Sequence, residues 1–353
     1  MSAESVNEFT RTIFNYIYAT QGSTGNIAFS GFGLYSLMTM INLGLRGKYR
    51  EQLSNFLKEN HTEIFYLLTW KESQFAKTWL DNRKLMESVS DSNSILFHSC
   101  RISELYWILS THLFNLNFRA TNFSNPQDLL KKINQWVNQK TRGLIQNLWN
   151  DYLDFHTMMV FINTLFFNSI WLIPFDTKAT TPGIFFDEVN NPIVVLMMNQ
   201  DSSYQVYVDH AHNVTILFIP FQQVTVYGVV LLPNLGYSLK DLIRNFQQAQ
   251  WRTLHLTIPK FQIYSGFDLI DLLMHYNVTE IFNIPVANKE NKICHTGLIR
   301  KLAQLTMVSI DENEKTANDV WADDIMYHFP TISLSYICSF VKAYIIQCSS
   351  NES

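Results

Sequence analysis

The chain has 353 residues, 47% of them hydrophobic, with 26 Phe, 16 Tyr and 8 Trp, enough for one large core or two ordinary ones, which excludes global disorder. Charged residues make up 16% and the formal net charge is -4, so neither nucleic acid nor an acidic membrane surface is an expected partner. No apolar run approaches the roughly 18 residues of a membrane span, because Asn163, Pro220 and Gln222 interrupt the best candidates.

The first twenty residues include Glu4, Glu8 and Arg11 and lack the basic start and continuous apolar segment of a secretory signal. A cytoplasmic monomer is expected, with leaderless secretion left open. Cys100, Cys294, Cys338 and Cys348 are too scattered for a metal knuckle and too few for a disulfide scaffold, so free thiols are expected. Asn-x-Ser/Thr triplets at Asn60, Asn122, Asn213, Asn277 and Asn351 arise by chance in an Asn-rich chain and carry no argument.

Phe9, Ile13 and Ile17 predict a helix over 4–20, broken by Gly22 to Gly25. Asn26–Ser30 reads as a short strand, and Gly31–Leu45 as a buried helix with Gly47 as its C-cap. A further helix starts within Glu51–Phe56. Over residues 60–90, Lys71, Lys77, Arg83 and Lys84 are diluted by Glu63, Glu72, Asp81 and Glu87, which gives a solvated amphipathic face and not a basic binding helix. A strand at Ser94–Cys100, a helix at Glu104–Phe114 and an alternating strand at Leu116–Phe123 follow. Pro126 opens a helix over Gln127–Gln139 with an apolar stripe of Leu130, Ile133 and Val137.

Thr157–Phe167 is apolar on both faces apart from Asn163, as a central strand covered on each side must be, so Asn163 has to find hydrogen bonds inside the core. Strand-like runs recur at Ile193–Met198, Gln205–Val208, Val214–Pro220, Val224–Leu232 and Leu254–Ile263, followed by a helix at Phe267–Tyr276. Leu298–Ile310 is another buried strand, and the last strands are Ser333–Ile337 and Phe340–Gln347. Helices first and strands later, with few βαβ units, predict an α+β fold with large mixed or antiparallel sheets. Without an internal repeat or low-complexity linker, a single domain over 1–353 is expected.

Several of these segments together resemble the serpin superfamily. They are Asn26-Ile-Ala-Phe-Ser-Gly-Phe-Gly33, Leu43-Gly-Leu-Arg-Gly47, Ile133–Ile145, Val194–Met198, Val230-Leu-Leu-Pro233, Ile258-Pro-Lys-Phe261, Phe267-Asp-Leu269 and, most specific, Phe161–Phe175. The resemblance covers roughly residues 5 to 347. It implies three sheets, eight or nine helices and an exposed reactive-centre loop, which in inhibitory members a protease cleaves and which then inserts into the main sheet; the partner it implies is a host serine or cysteine protease or another protein. Such a protein has no catalysis of its own and no cofactor. Ser30 and Asn163 match the family's hydrogen-bonded cluster under the opening of the sheet, but the usual second serine is Gly33, the usual histidine is Gln304 and the usual proline after Ser30 is Gly31. A cluster short of partners is expected to move less reproducibly. The resemblance places Trp171 where the sheet begins to open. The high Phe, Ile and Asn content resembles that of serpins from large DNA viruses such as poxviruses.

The resemblance puts the hinge of the loop at Glu312, Glu314, Lys315, Thr316 and Ala317, and the bond to be cleaved within Ala322, Asp323, Asp324, Ile325, Met326, Tyr327 and His328. The inhibitory pattern reads Glu-x-Gly-Thr followed by small residues. Here only Glu312 matches, since Glu314 and Lys315 replace the glycine and threonine. With a period of two, insertion buries either Lys315, Ala317, Asp319 and Trp321 or Glu314, Thr316, Asn318 and Val320, so either phase takes a charge inside. Lys315 and Asp319 would lie about 13 Å apart along the strand, too far to neutralise each other. Only 17 residues separate Glu312 from Pro330. A strand as long as Leu298–Ile310 uses about 12 of them. The expectation is a shortened loop over 312–330 that is cut or bound without efficient trapping, in a protein that acts by binding. The alternative is a protease inhibitor working through the same loop.

A Ser-His-Asp hydrolase would want a Gly-x-Ser-x-Gly elbow, which is absent, so an enzyme is not expected. His210 with His212, and His98 with Cys100, could each start a metal site, but no third ligand is in view and no metal is expected.

Overall fold

The apolar run at the centre of the chain forms β4 (Met159–Phe167), and all nine of its residues are buried. The computed structural model describes residues 3–21, 26–59, 64, 70–150, 159–167, 169–186, 191–209, 214–223, 226–233, 250–282, 299–312 and 339–340. Within them the helices are α1 (Ala3–Thr20), α2 (Gly31–Leu43), α3 (Gly47–Leu57), α4 (Gln74–Val89), α5 (Glu104–Phe114), α6 (Pro126–Lys140) and α7 (Ile270–His275). Local chemistry sets their starts. Ser30 accepts the Gly33 N–H at the head of α2, Ser73 caps α4, Ser103 caps α5, and Asn125 caps α6 just ahead of Pro126. α2 is apolar almost all round and correspondingly buried.

Contacts divide the chain into two compact units. The first is built on a five-stranded mixed sheet, in the order β10 (Phe261–Asp268), β11 (Ile299–Ile310), β4, β2 (Ser90–His98) and β3 (Leu116–Ala120). β11 runs parallel to β4, and β2 antiparallel to it. One face of β4 lies under α6, where Val160 and Ile162 meet Leu129, Ile133, Trp136 and Val137. A two-stranded ribbon of β1 (Ile27–Ala28) and β12 (Ser339–Phe340) belongs to the same unit. The second unit holds the third sheet: β5 (Thr181–Phe186), β6 (Pro192–Asp209), β7 (Val214–Pro220) and β8 (Tyr227–Pro233) in that order, with β9 (Gln250–Pro259) also paired to β6. Residues 309–312, at the end of β11 and just beyond it, belong to this second unit.

The α+β expectation, with mixed and antiparallel sheets, holds, and several element boundaries are corrected. Gly47 does not end α2. Gly44 does, returning its N–H to Ile41 and Asn42, while Gly47 opens α3 at a positive φ of 53°. The predicted runs at 193–198 and 205–208 are one 18-residue strand, because the polar stretch between them pairs with β9, Gln200 opposite Leu256 and Ser202 opposite Leu254. The predicted strand at 254–263 is two strands that part at Lys260, and Phe267 and Asp268 end β10 and do not begin α7. On α6 the buried stripe is Leu129, Ile133, Trp136 and Val137, while Leu130 sits half-exposed. Trp70, Phe75 and Trp79 are buried, so the 70–89 region turns its aromatics inward. β5 was not anticipated, since Thr-Pro-Gly at its start reads as a turn. The two last predicted strands lie outside the described residues, except for Phe340, which ends β12.

Gly31, where the resemblance expects proline, is explained by packing. A Cβ built on it would lie 2.0 Å from Thr10 Oγ1 and 2.7 Å from Thr10 Cβ, so the closeness of α1 and α2 requires a bare backbone there. Gly31→Ala is expected to destabilise the protein by about 1–3 kcal/mol. Thr10→Ala in the same chain should recover only part of the loss, because the Thr10 Cβ remains too close. Thermal midpoints of the three variants check this.

Candidate functional site

Asn163 on β4 and Gln304 on β11 are register partners, and their side chains meet on the face of the sheet that receives the start of α2. Gln304 Nε2 donates to Asn163 Oδ1 at 3.1 Å and to the Ser30 carbonyl at 3.2 Å, while its Oε1 accepts the Ser30 N–H at 3.1 Å. Asn163 Nδ2 donates to Ser94 Oγ on β2 at 3.0 Å, with Asn93 O and Ser92 Oγ slightly farther away. Ser30, Asn163 and Gln304 are all at most 1% exposed. The cluster is therefore not short of partners, which corrects that expectation. A Cβ on Gly33 would lie 2.8 Å from Gln304 Nε2 and 3.1 Å from both Asn163 Oδ1 and Ser30 Oγ. The glutamine is long enough to use the space that a side chain at position 33 would take.

A second cluster forms in the other unit, just past the end of β11. Trp171 donates its indole N–H to the Asp311 carbonyl at 2.9 Å and stacks on Phe221 with ring centroids 4.7 Å apart. Glu312, only 6% exposed, is held at three points: its carboxylate accepts Lys260 Nζ at 2.7 Å and Thr180 Oγ1 at 2.8 Å, and its carbonyl accepts the Phe175 N–H at 3.2 Å. Burial pushes the Glu312 carboxyl up, but its hydrogen bonds to Lys260, its own backbone and Thr180, with the Lys260 charge, carry it below the ordinary value of 4.5. Lys260 and Thr180 were not singled out in the sequence. Lys260 stood within the Ile258–Phe261 motif, whereas nothing around Thr180 signalled its role.

The other residues expected to form a hinge, Glu314, Lys315, Thr316 and Ala317, and the stretch expected to be cleaved, Ala322 to His328, lie outside the described residues, as do His210 and His212. His98 Nδ1 lies 2.8 Å from the Cys100 carbonyl, to which it donates. Cys100 takes part in a disulfide, which corrects the expectation of free thiols at that position. The other three cysteines are outside the described residues. Among the described residues no group of three or more His, Cys, Asp or Glu is arranged to hold a metal, and no helix is long and apolar enough to cross a membrane.

The fold agrees with comparison to known proteins. The family model described as Serpin (serine protease inhibitor) matches residues 4–337, and the chain belongs to the serpin family. Among its relatives, Alpha-1-antiproteinase S of Cavia porcellus is 26% identical over 351 residues, covering 97% of this chain and 85% of the relative. Protein Z-dependent protease inhibitor of Rattus norvegicus is 24% identical over 298 residues, covering 82% of this chain and 68% of the relative. Among solved structures, uncleaved ovalbumin superposes with a TM-score of 0.78 at 19% identity, covering 90% of this chain and 92% of that one, which shows the shared fold.

Two predictions follow from this geometry. Gly33→Ala displaces the Gln304 amide and Gln304→Ala removes it. Because both act on the same bonds, their costs in thermal stability should be non-additive, with a coupling of about 1 kcal/mol or more. Glu312→Gln keeps the shape of the clamp and removes its charge. A depressed carboxyl stabilises the fold above its unfolded value and loses that contribution as pH falls through the folded value. The wild type should therefore melt higher than Glu312→Gln above about pH 4.5, and the gap should close below it. The gap should be modest, about 1 kcal/mol, because Lys260 is 41% exposed and its charge is screened.

Proposed function

We propose that this serpin acts by holding a protein partner and traps proteases poorly or not at all. The observation that carries the reading is the hinge sequence. Two and three residues after the clamped Glu312 come Glu314 and Lys315, where insertion into a sheet asks for small, uncharged residues. Insertion would have to part β4 from β11, which are directly paired from Met159 opposite Ile299 to Phe167 opposite Val308, and break the Gln304 to Asn163 bond. The entering strand would then bury an unpaired ion at a cost of several kcal/mol, against a net domain stability of about 5–15 kcal/mol. The 17 residues between Glu312 and Pro330 support the same reading, since about 12 would be consumed by a full inserted strand.

A second reading, inhibition of a serine or cysteine protease through a bond between Ala322 and His328, is supported by the names of the relatives, which include a protein Z-dependent protease inhibitor and antiproteinases. Limited proteolysis within that stretch separates the two. The proposed function expects no SDS-resistant complex with the protease and a thermal midpoint nearly unchanged by the cut. A covalent complex, or a sharp rise in midpoint after cleavage, would establish inhibition instead.

A further inference from the structure

Beside α6, on the side away from the sheet, lies a shallow groove of about 590 Å³, broadly open to solvent and lined in part by Leu130 and Asn134. Its helix wall carries Gln127, Lys131, Gln135 and Asn138, which recur at helical spacing along one stripe, and its second wall carries Gln146 and Asn147. The second wall is held in place by Asn134, whose Oδ1 accepts the Leu148 N–H at 2.9 Å and whose Nδ2 donates to the Trp149 carbonyl at 3.0 Å. Among the described residues, no hydrogen bond or ion pair engages the side chains of Lys131, Gln135, Asn138 and Gln146. Lys132, beside them, is already paired with Asp128. The groove therefore presents the uncommitted carboxamides of Gln135 and Asn138 on its helix wall, that of Gln146 on the other, and the cation of Lys131, while Asn147 Oδ1 already accepts from Asn134 Nδ2 at 3.4 Å.

We infer that this groove binds a short extended peptide segment of another protein with an acidic side chain near its middle. A carboxamide offers donors and an acceptor together, matching the paired N–H and C=O of a peptide main chain. In an extended chain those pairs point alternately to the two sides, and both walls supply partners. From Gln127 to Asn138 the helix advances about 16 Å, the length of roughly five extended residues. Lys131 lies between the ends, so a carboxylate there gains a charge-assisted bond. No aromatic ring lines the groove, which removes the flat apolar face on which a sugar ring stacks, and this favours peptide over glycan.

The test pans phage-displayed random heptapeptides on the full chain, then measures the winners as labelled synthetic peptides by fluorescence polarisation. Wild type is compared with Lys131→Ala and with Asn138→Arg, which fills the groove, after thermal melts show that both variants fold. The expected winners share Asp or Glu at one position, bind about tenfold more weakly to Lys131→Ala and lose binding to Asn138→Arg. N-methylation of their central amides should also abolish binding. Failure of any peptide to be enriched over the Asn138→Arg variant overturns the inference. So does equal binding to all three proteins, or binding of a uronic-acid oligosaccharide in place of peptide with the same dependence on the two variants.

Discussion

A single carboxamide, that of Gln304, joins the start of α2, the middle of β4 and the strand that carries it. β4 is covered on both faces, so the polar group of Asn163 has no access to water and must be satisfied by protein. Gln304 reaches it only because position 33 has no side chain. The cap that Ser30 provides to α2 completes the arrangement, since the backbone of Ser30 is also the partner of Gln304. The start of α2, the central strand β4 and β11 are thus fixed relative to one another by directional bonds as well as by apolar packing.

Eight residues further along the chain the backbone is fixed again, in a different way. Trp171 takes the Asp311 carbonyl, and Lys260, Thr180 and the Phe175 N–H take Glu312. Wherever the chain goes next, its departure point is set by a buried carboxylate whose burial is offset by hydrogen bonds and an ion pair. That is a strong anchor at the head of a stretch of sequence rich in charged residues.

Much of this was legible in the residues. The apolar runs of β4 and β11 and the spacing in α1, α5 and α6 mark elements that packing alone would dictate, and the lone Asn163 in an apolar strand announced a buried network. Other features depended on pairings no local pattern records. The polar middle of β6 reads as a turn until β9 lies beside it, and Gly44 and Gly47 offer two places to end a helix with nothing local to choose between them. The complementarity of Gly33 and Gln304 joins positions 271 residues apart. Each looked like a defect when measured against the family's pattern, and only their contact shows that one substitution accommodates the other. Thr180 remained silent because an exposed-looking threonine carries no sign of a distant carboxylate.

The same exchange leaves the buried cluster of Ser30, Asn163 and Gln304 without any ionisable member. Serine, asparagine and glutamine keep one protonation state from acid to alkaline conditions, whereas an imidazole at the site of Gln304 would gain charge on acidification. The cluster is therefore indifferent to the mild acidity of an endosome, whereas the Glu312 carboxylate, held below its ordinary value, changes charge only in stronger acid.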